Sequence, residues 1–261
     1  MPETKPDSSR MILVLTAGGA IPGVLIAALN ARFPNAVRVI EEDPESKWQI
    51  VARRARRLGW IEAIGQLATM IVSRLGKRMS ARRWAEIMAM EGSMPDLPTP
   101  PIHHVASLND PVCHALIAGF SPSVVLTISC RILSRETLAG IACPVLNFHS
   151  GINPGYRGQM GGYWALAEGD PQNFGGCIHI VDAGIDTGGM LYEQRLTPSR
   201  SDTISTYPLL LTMACRHIVI AAVEDALAGT LRAYQSSGPS RLRYPPAIWT
   251  WIANGIRRGV W

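Results

Sequence analysis

Three signals are missing from this chain: metal-type cysteine spacing, an unbroken membrane-length apolar run, and a dinucleotide glycine fingerprint. The five cysteines, at 113, 130, 143, 177 and 215, are odd in number and widely spaced. That argues against a disulfide scaffold and for small core residues in a reducing, cytoplasmic setting. Met11 to Asn30 is uncharged, but Gly18, Gly19, Pro22 and Gly23 interrupt it, so a strand, a turn and a helix are expected there instead of a span. The turn lacks the G-x-G-x-x-G spacing. Gly18 and Gly19 still offer backbone N–H groups at a helix N-terminus, where a substrate phosphate would sit, although tight packing explains them equally well. His103 and His104 are adjacent on an expected strand and would face opposite sides, so no metal is expected.

What is present is a chain of 261 residues, 47% of them apolar, enough for one large domain. Residues 1–10 are polar and carry two prolines, which predicts a loose tail. Apolar runs at Met11–Thr16, Val37–Ile40, Ile102–Val105, Ser123–Ile128, Pro144–Leu146 and Gly176–Asp182 alternate with helical patterns at Gly23–Phe33 and Pro111–Ala118. Met190–Leu196 then reads as a strand and Tyr207–Ala228 as a long helix stopped by Gly229. Such alternation predicts an α/β fold, a mostly parallel Rossmann-like sheet covered by helices on both faces, with ligands collecting at the carboxyl ends of the strands. The expected layout is a catalytic domain over residues 11–230, a basic helical insertion at 44–100 within it, and a C-terminal extension at 231–261.

The insertion is nearly devoid of acids. From Lys47 to Arg83 there are ten Lys or Arg against the single acid Glu62, a local net charge of +9 in a chain of formal charge +5. Apolar residues recur there at helical spacing, which predicts two amphipathic basic helices meeting near Gly59. An anionic membrane surface, a phosphorylated acceptor or RNA would each fit such a face, nucleic acid least; a solvated face packed on the domain is the alternative. Near the C-terminus, Trp249, Trp251 and Trp261 with Arg257 and Arg258 fit a membrane interface, a core cap or a homo-oligomer face.

The chemistry concentrates between Pro144 and Leu191. In a strand, residues i and i+2 share a face, so Asn147 and His149 project together at the end of a buried run while Phe148 points inward. The turn Ala183-Gly184-Ile185-Asp186-Thr187-Gly188 is placed to bring a carboxylate beside them. A carboxamide donor, an imidazole and a carboxylate suit acyl transfer to an amine without a Ser or Cys nucleophile. The first two stabilise the oxyanion and move protons; the third fixes the protonation state or takes the proton of the amine. On spacing alone, an Asn-x-His pair serves structure more often than chemistry. His179 and His217 are expected to be structural.

The run Asn147-Phe148-His149, the loop Pro154-Gly155-Tyr156-Arg157-Gly158, Trp164-Ala165, Gly169-Asp170 and Ile185-Asp186-Thr187-Gly188 occur in one order. In order and spacing this resembles the folate-dependent formyltransferase family, which includes the glycinamide ribonucleotide, methionyl-tRNA and amino-sugar N-formyltransferases. Cys130-Arg131-Ile132-Leu133 resembles the segment lining the pterin pocket there, and the likeness covers about residues 120–196. The resemblance implies the formyltransferase fold, with 10-formyltetrahydrofolate as cosubstrate and no metal. It further implies transfer of the formyl group through a tetrahedral intermediate to a primary amine of a small acceptor, such as a nucleotide- or lipid-linked amino sugar. It assigns Asn147, His149 and Asp186 to catalysis. Cys130, Arg131, Ile132, Leu133, Asp182, Ala183, Gly184 and Ile185 would bind the cofactor, and Gly18, Gly19, Tyr156, Arg157 and Gly158 the substrate. Two departures stand out: Ser150-Gly151 where family members carry Pro-Ser, and Gly161-Gly162 where many carry a bulkier run. The Gly-Ser-Asn run of the glycinamide ribonucleotide enzymes is also missing, and little sequence follows the last long helix for the extra domain of the tRNA enzymes. A cytoplasmic enzyme, peripheral at the inner membrane face if the basic insertion docks there, is the resulting expectation. A 10-formyltetrahydrofolate hydrolase and a non-catalytic folate-fold binding module are the alternatives.

Overall fold

Every residue of the run Ile12–Thr16 is buried, and this strand, β1, lies inside the sheet. The computed structural model describes residues 10–90 and 98–261. The elements that follow β1 are α1 (Ala20–Arg32), β2 (Val37–Glu42), α2 (Lys47–Leu58), α3 (Trp60–Met79), α4 (Ala81–Ala89), β3 (Ile102–Val105), α5 (Pro111–Phe120), β4 (Val124–Ile128), α6 (Arg135–Ala139) and β5 (Val145–His149). Beyond the first site strand come β6 (Arg157–Gly158), α7 (Gly161–Ala167), β7 (Gly175–Ile180), β8 (Met190–Arg195), α8 (Tyr207–Ala228), β9 (Leu242–Arg243) and α9 (Ile248–Arg258). The main sheet runs β3-β2-β1-β4-β5-β7-β8, and β6 pairs separately with β9. Its first five strands are parallel; β7 and β8 are antiparallel additions.

Alternation along the strands sorts two cores. Ile12, Val14, Leu126 and Phe148 point to the face covered by α1 and α8, where they meet Leu25, Leu29 and Val219. Leu13, Leu15, Val125 and Val145 point to the other face, against Cys113 and Ile117 of α5. Two faces covered by helices explain why the central strands read as continuous apolar runs. A third cluster joins Tyr163 of α7, Phe174 and the first turns of α8 to Ile87 of α4.

The expected fold class holds, with three differences of detail. Helix α1 begins three residues earlier than the glycine-rich turn suggests, because Pro22 in its first turn needs no N–H partner. The basic region contains a third helix, α4, which Arg83 ties to the domain through a two-pronged bond to the buried Asp202, at 2.8 and 3.1 Å. Asp202 is held below the usual carboxylate range: burial opposes this, but the Arg83 guanidinium and the Ser199 amide outweigh it. The antiparallel edge is the third difference. The predicted tail falls almost wholly on residues outside the described ones, as do residues 91–97 of the insertion.

Candidate active site

Asn147 and His149 leave β5 on the face that β4 and β7 flank. Parallel pairing sets Thr127 of β4 beside Asn147, and antiparallel pairing sets His179 of β7 opposite it. The Thr127 hydroxyl shares its proton between the Asn147 Oδ1, at 2.9 Å, and the Leu146 carbonyl, at 3.1 Å. That contact turns the Asn147 amide nitrogen toward His179 Nε2, at 3.0 Å, and Asp186 Oδ1, at 3.3 Å. His179 Nδ1 lies 2.9 Å from the Ile180 carbonyl, which can only accept, so Nδ1 carries a proton, and Nε2 faces both the Asn147 amide and Asp186 Oδ1.

His149 is buried, 6% exposed. Its Nε2 lies 2.7 Å from the Tyr156 carbonyl, which can only accept, so Nε2 carries a proton. Nδ1 faces Asp186 Oδ2 at 3.7 Å, too far for a hydrogen bond yet close enough for an ion pair. Proton exchange at this imidazole is therefore confined to Nδ1. Asp186 also accepts from the Gly158 N–H at 2.8 Å and approaches His179 Nε2 at 3.3 Å. Burial alone would raise its pKa. The charge of His149, the His179 hydrogen bond and the Gly158 amide outweigh burial and hold the carboxyl below the usual carboxylate range. Asp186 has φ 50°, a left-handed conformation that aspartate tolerates better than most residues.

The other expected site residues separate into two groups. Tyr156, Arg157 and Gly158 hold the catalytic groups by their backbone and by Arg157, which donates to the Ile185 carbonyl at 2.8 Å. The Tyr156 hydroxyl donates to Asp170 at 2.7 Å. Their described contacts are thus those of positioning residues. In the cofactor segments, the Arg131 guanidinium is committed to Glu42, Asp43 and Ala106, and Asp182 caps its own turn through the Gly184 N–H and the Thr187 hydroxyl. Burial, with Glu42 adding, pushes the Cys130 thiol up to about 12, so it stays protonated. Gly18 and Gly19 have no contact with the Asn147 cluster among the described residues. A Cβ on Gly18 would meet the Glu41 carboxylate at 2.6 Å, so that carboxylate packs directly against the glycine.

The residues around the pterin segments test whether a folate fits. Leu133 and Val181 both pack on the core face that carries Leu13, Val125 and Val145, so segments 130–133 and 181–185 approach one side of the sheet. Ile132 in the first of these segments is turned outward, 63% exposed, an apolar surface that a flat heterocycle would cover. A recess of about 610 Å³ shares Tyr156 with the site but none of Asn147, His149 and Asp186. Asn153 in its wall is buried with neither amide atom partnered in the protein.

The two departures from the formyltransferase motif are a single feature. A Cβ on Gly151 would lie 2.6 Å from the Tyr156 carbonyl, 2.7 Å from His149 Nε2 and 2.9 Å from the Gly161 Cα; one on Gly161 would lie 2.6 Å from the Gly151 Cα. The glycines therefore let the two backbones touch where the His149–Tyr156 bond forms. Gly151→Ala should push the two backbones apart, lowering the melting temperature, and break that bond, lowering kcat at least about tenfold by misplacing the ring. Unchanged kcat in the variant would show that the close approach has no catalytic consequence.

The family model described as Formyl transferase matches residues 87–222, just over half of the chain. The chain belongs to the formyl transferase family. The methionyl-tRNA formyltransferase of Desulfotalea psychrophila is 27% identical over 158 residues, covering 60% of this chain and 47% of that protein. This chain thus spans less than half the length of that relative. Among solved structures, the phosphoribosylglycinamide formyltransferase of Anaplasma phagocytophilum superposes with a TM-score of 0.58 at 15% identity, covering 89% of this chain and 97% of that one. A sugar N-formyltransferase from a Shewanella species gives 0.55 at 12% identity, covering 90% and 76%. At such identities the likeness is one of fold.

Sequence reasoning placed Asn147, His149 and Asp186 together but assigned His179 to structure. It also missed Thr127 and the Tyr156 carbonyl. The antiparallel register Asn147↔His179 is what brings that histidine to the site, and no local sequence signal encodes it.

Proposed function

We propose that the chain is an N-formyltransferase that moves the formyl group of 10-formyltetrahydrofolate onto a primary amine of a small acceptor. The observation that carries this reading is the convergence of Asn147, His149 and Asp186 on one sheet face, in a family member, with each group oriented by further bonds. When bound, 10-formyltetrahydrofolate supplies a carbonyl carbon open to attack. Segments 130–133 and 182–185 would hold its ring system. Asn147 Nδ2 would meet the charge that develops on the carbonyl oxygen, exchanging its longer bond to Asp186 for one to that oxygen. His149 Nδ1, facing Asp186, would in the imidazolium add a second donor and pass its proton to the leaving nitrogen. Asp186, ionised throughout the neutral range, would stabilise the imidazolium or accept the proton of the attacking amine.

For the acceptor, a nucleotide- or lipid-linked amino sugar is the working choice, in line with the sugar N-formyltransferase whose fold aligns along most of the chain. The alternative, hydrolysis, needs only water in place of the amine. Incubation with 10-formyltetrahydrofolate, with and without a panel of amino sugars, separates them. Tetrahydrofolate release that depends on an amine supports transfer. Release at the same rate without any amine would replace transfer by hydrolysis, and no release in any condition would overturn both.

A further inference from the structure

Helix α3 turns a row of apolar residues away from the domain. Its inward side carries the small or polar Ala63, Gln66 and Thr69, 0%, 2% and 1% exposed, with Gly65 and Gly76 seated against Trp249 and Ser205. Ile61, Ile64, Ile71 and Leu75 share its outward side at helical spacing and are 79%, 57%, 44% and 55% exposed. A surface helix that meets only water shows the opposite arrangement. At its start, Trp48 and Trp60, both largely exposed, lie with ring centroids 5.8 Å apart. Helix α9 packs beside α3, its half-exposed Trp249 against Gly65, and turns out Ile252 and Ile256 in the same manner. Arg74 and Arg78 border the stripe on α3, and Arg56 and Arg57 project from α2; all four are exposed and have no carboxylate partner among the described residues.

We propose that α3 and α9, with the arginines of α2 and α3, form a face that docks in the plane of an anionic bilayer. Three observations select this occupant. Isoleucines with arginines on their border match acyl chains beneath phosphate headgroups, and tryptophans favour the boundary between them. A second copy of the same face would instead set these four exposed arginines against their own counterparts. No helix among the described residues is long and apolar enough to cross a membrane, so the contact is one of lying on the surface.

The face is mechanically close to the chemistry. Arg54 of α2 donates to Gln159 Oε1 at 2.8 Å, and the preceding residue, Gly158, holds Asp186. A lipid-linked amine on the same bilayer would thus be presented near the site, a consequence that rests on the transfer reading; vesicle binding itself does not.

The test is co-sedimentation of the full chain with vesicles of phosphatidylcholine alone or with phosphatidylglycerol, at low and high salt. Partition onto the anionic vesicles should be at least about tenfold stronger and should weaken with salt, since each basic residue near the surface adds an electrostatic attraction that ions screen. Ile64→Asp with Ile71→Asp should abolish it while melting temperature is kept, because both side chains are exposed. Arg74→Gln with Arg78→Gln should weaken it and flatten the salt dependence. Equal partition onto both vesicles, or full binding by the aspartate variant, would overturn the proposal. So would a wild-type dimer in solution that the aspartate variant converts to monomer without any vesicle binding, which would assign the face to a second copy.

Discussion

Replacing His149 with alanine should lower the rate of formyl transfer by about two to four powers of ten, the usual contribution of a positioned acid or base. Affinity for 10-formyltetrahydrofolate should change little, because the imidazole acts on charge and protons that appear only in the transition state. The geometry explains why one nitrogen matters. Nε2 is held by the Tyr156 carbonyl, leaving Nδ1, opposite Asp186, as the atom that moves a proton. Single-turnover rates with a ligand-binding titration would separate the two effects. A variant with parental turnover would remove His149 from the mechanism, and one with lost affinity and retained turnover would make it a binding residue.

Asp186→Asn should be nearly as slow and should also change how stability depends on pH. The carboxylate's folded pKa lies below the ordinary value, so its stabilising contribution is fully present above the unfolded pKa of about 4 and is lost as pH falls through the folded value. The parent should therefore exceed the asparagine variant in stability at neutral pH, and the gap should close as pH drops below about 4. Urea melts across that range would show it. A gap that stays constant with pH would mean that Asp186 gains nothing from His149, His179 and the Gly158 amide on folding, contrary to the arrangement of the site.

The legible and illegible parts of the sequence differ in the range of the interactions that fix them. Local pattern was enough for β1 and β4, whose uninterrupted burial writes itself as apolar runs, for β5, where only Asn147 interrupts it, and for α8, bounded by Thr206 and the left-handed Gly229. The convergence of Asn147 with His149 followed from strand periodicity, and that of Asp186 from the motif. His179 was not legible, because its place opposite Asn147 depends on a reversal of strand direction that no local pattern encodes. Helix α4 was hidden for a similar reason: Arg83 and Trp84 look like surface residues until Asp202 and the Ser205 carbonyl, more than a hundred positions away, receive them. The glycines at 151 and 161 looked like two unrelated departures from the motif, and only their contact in space shows one cause.

A double-mutant cycle on Asn147→Ala and His149→Ala, read as single-turnover rates of amine-dependent tetrahydrofolate release, tests most directly whether these side chains act on one carbonyl. Groups that stabilise the same developing charge are strongly non-additive, so the double variant should be about as slow as the slower single variant. Losses that simply multiply would mean that the asparagine and the histidine act independently, and would contradict a shared site.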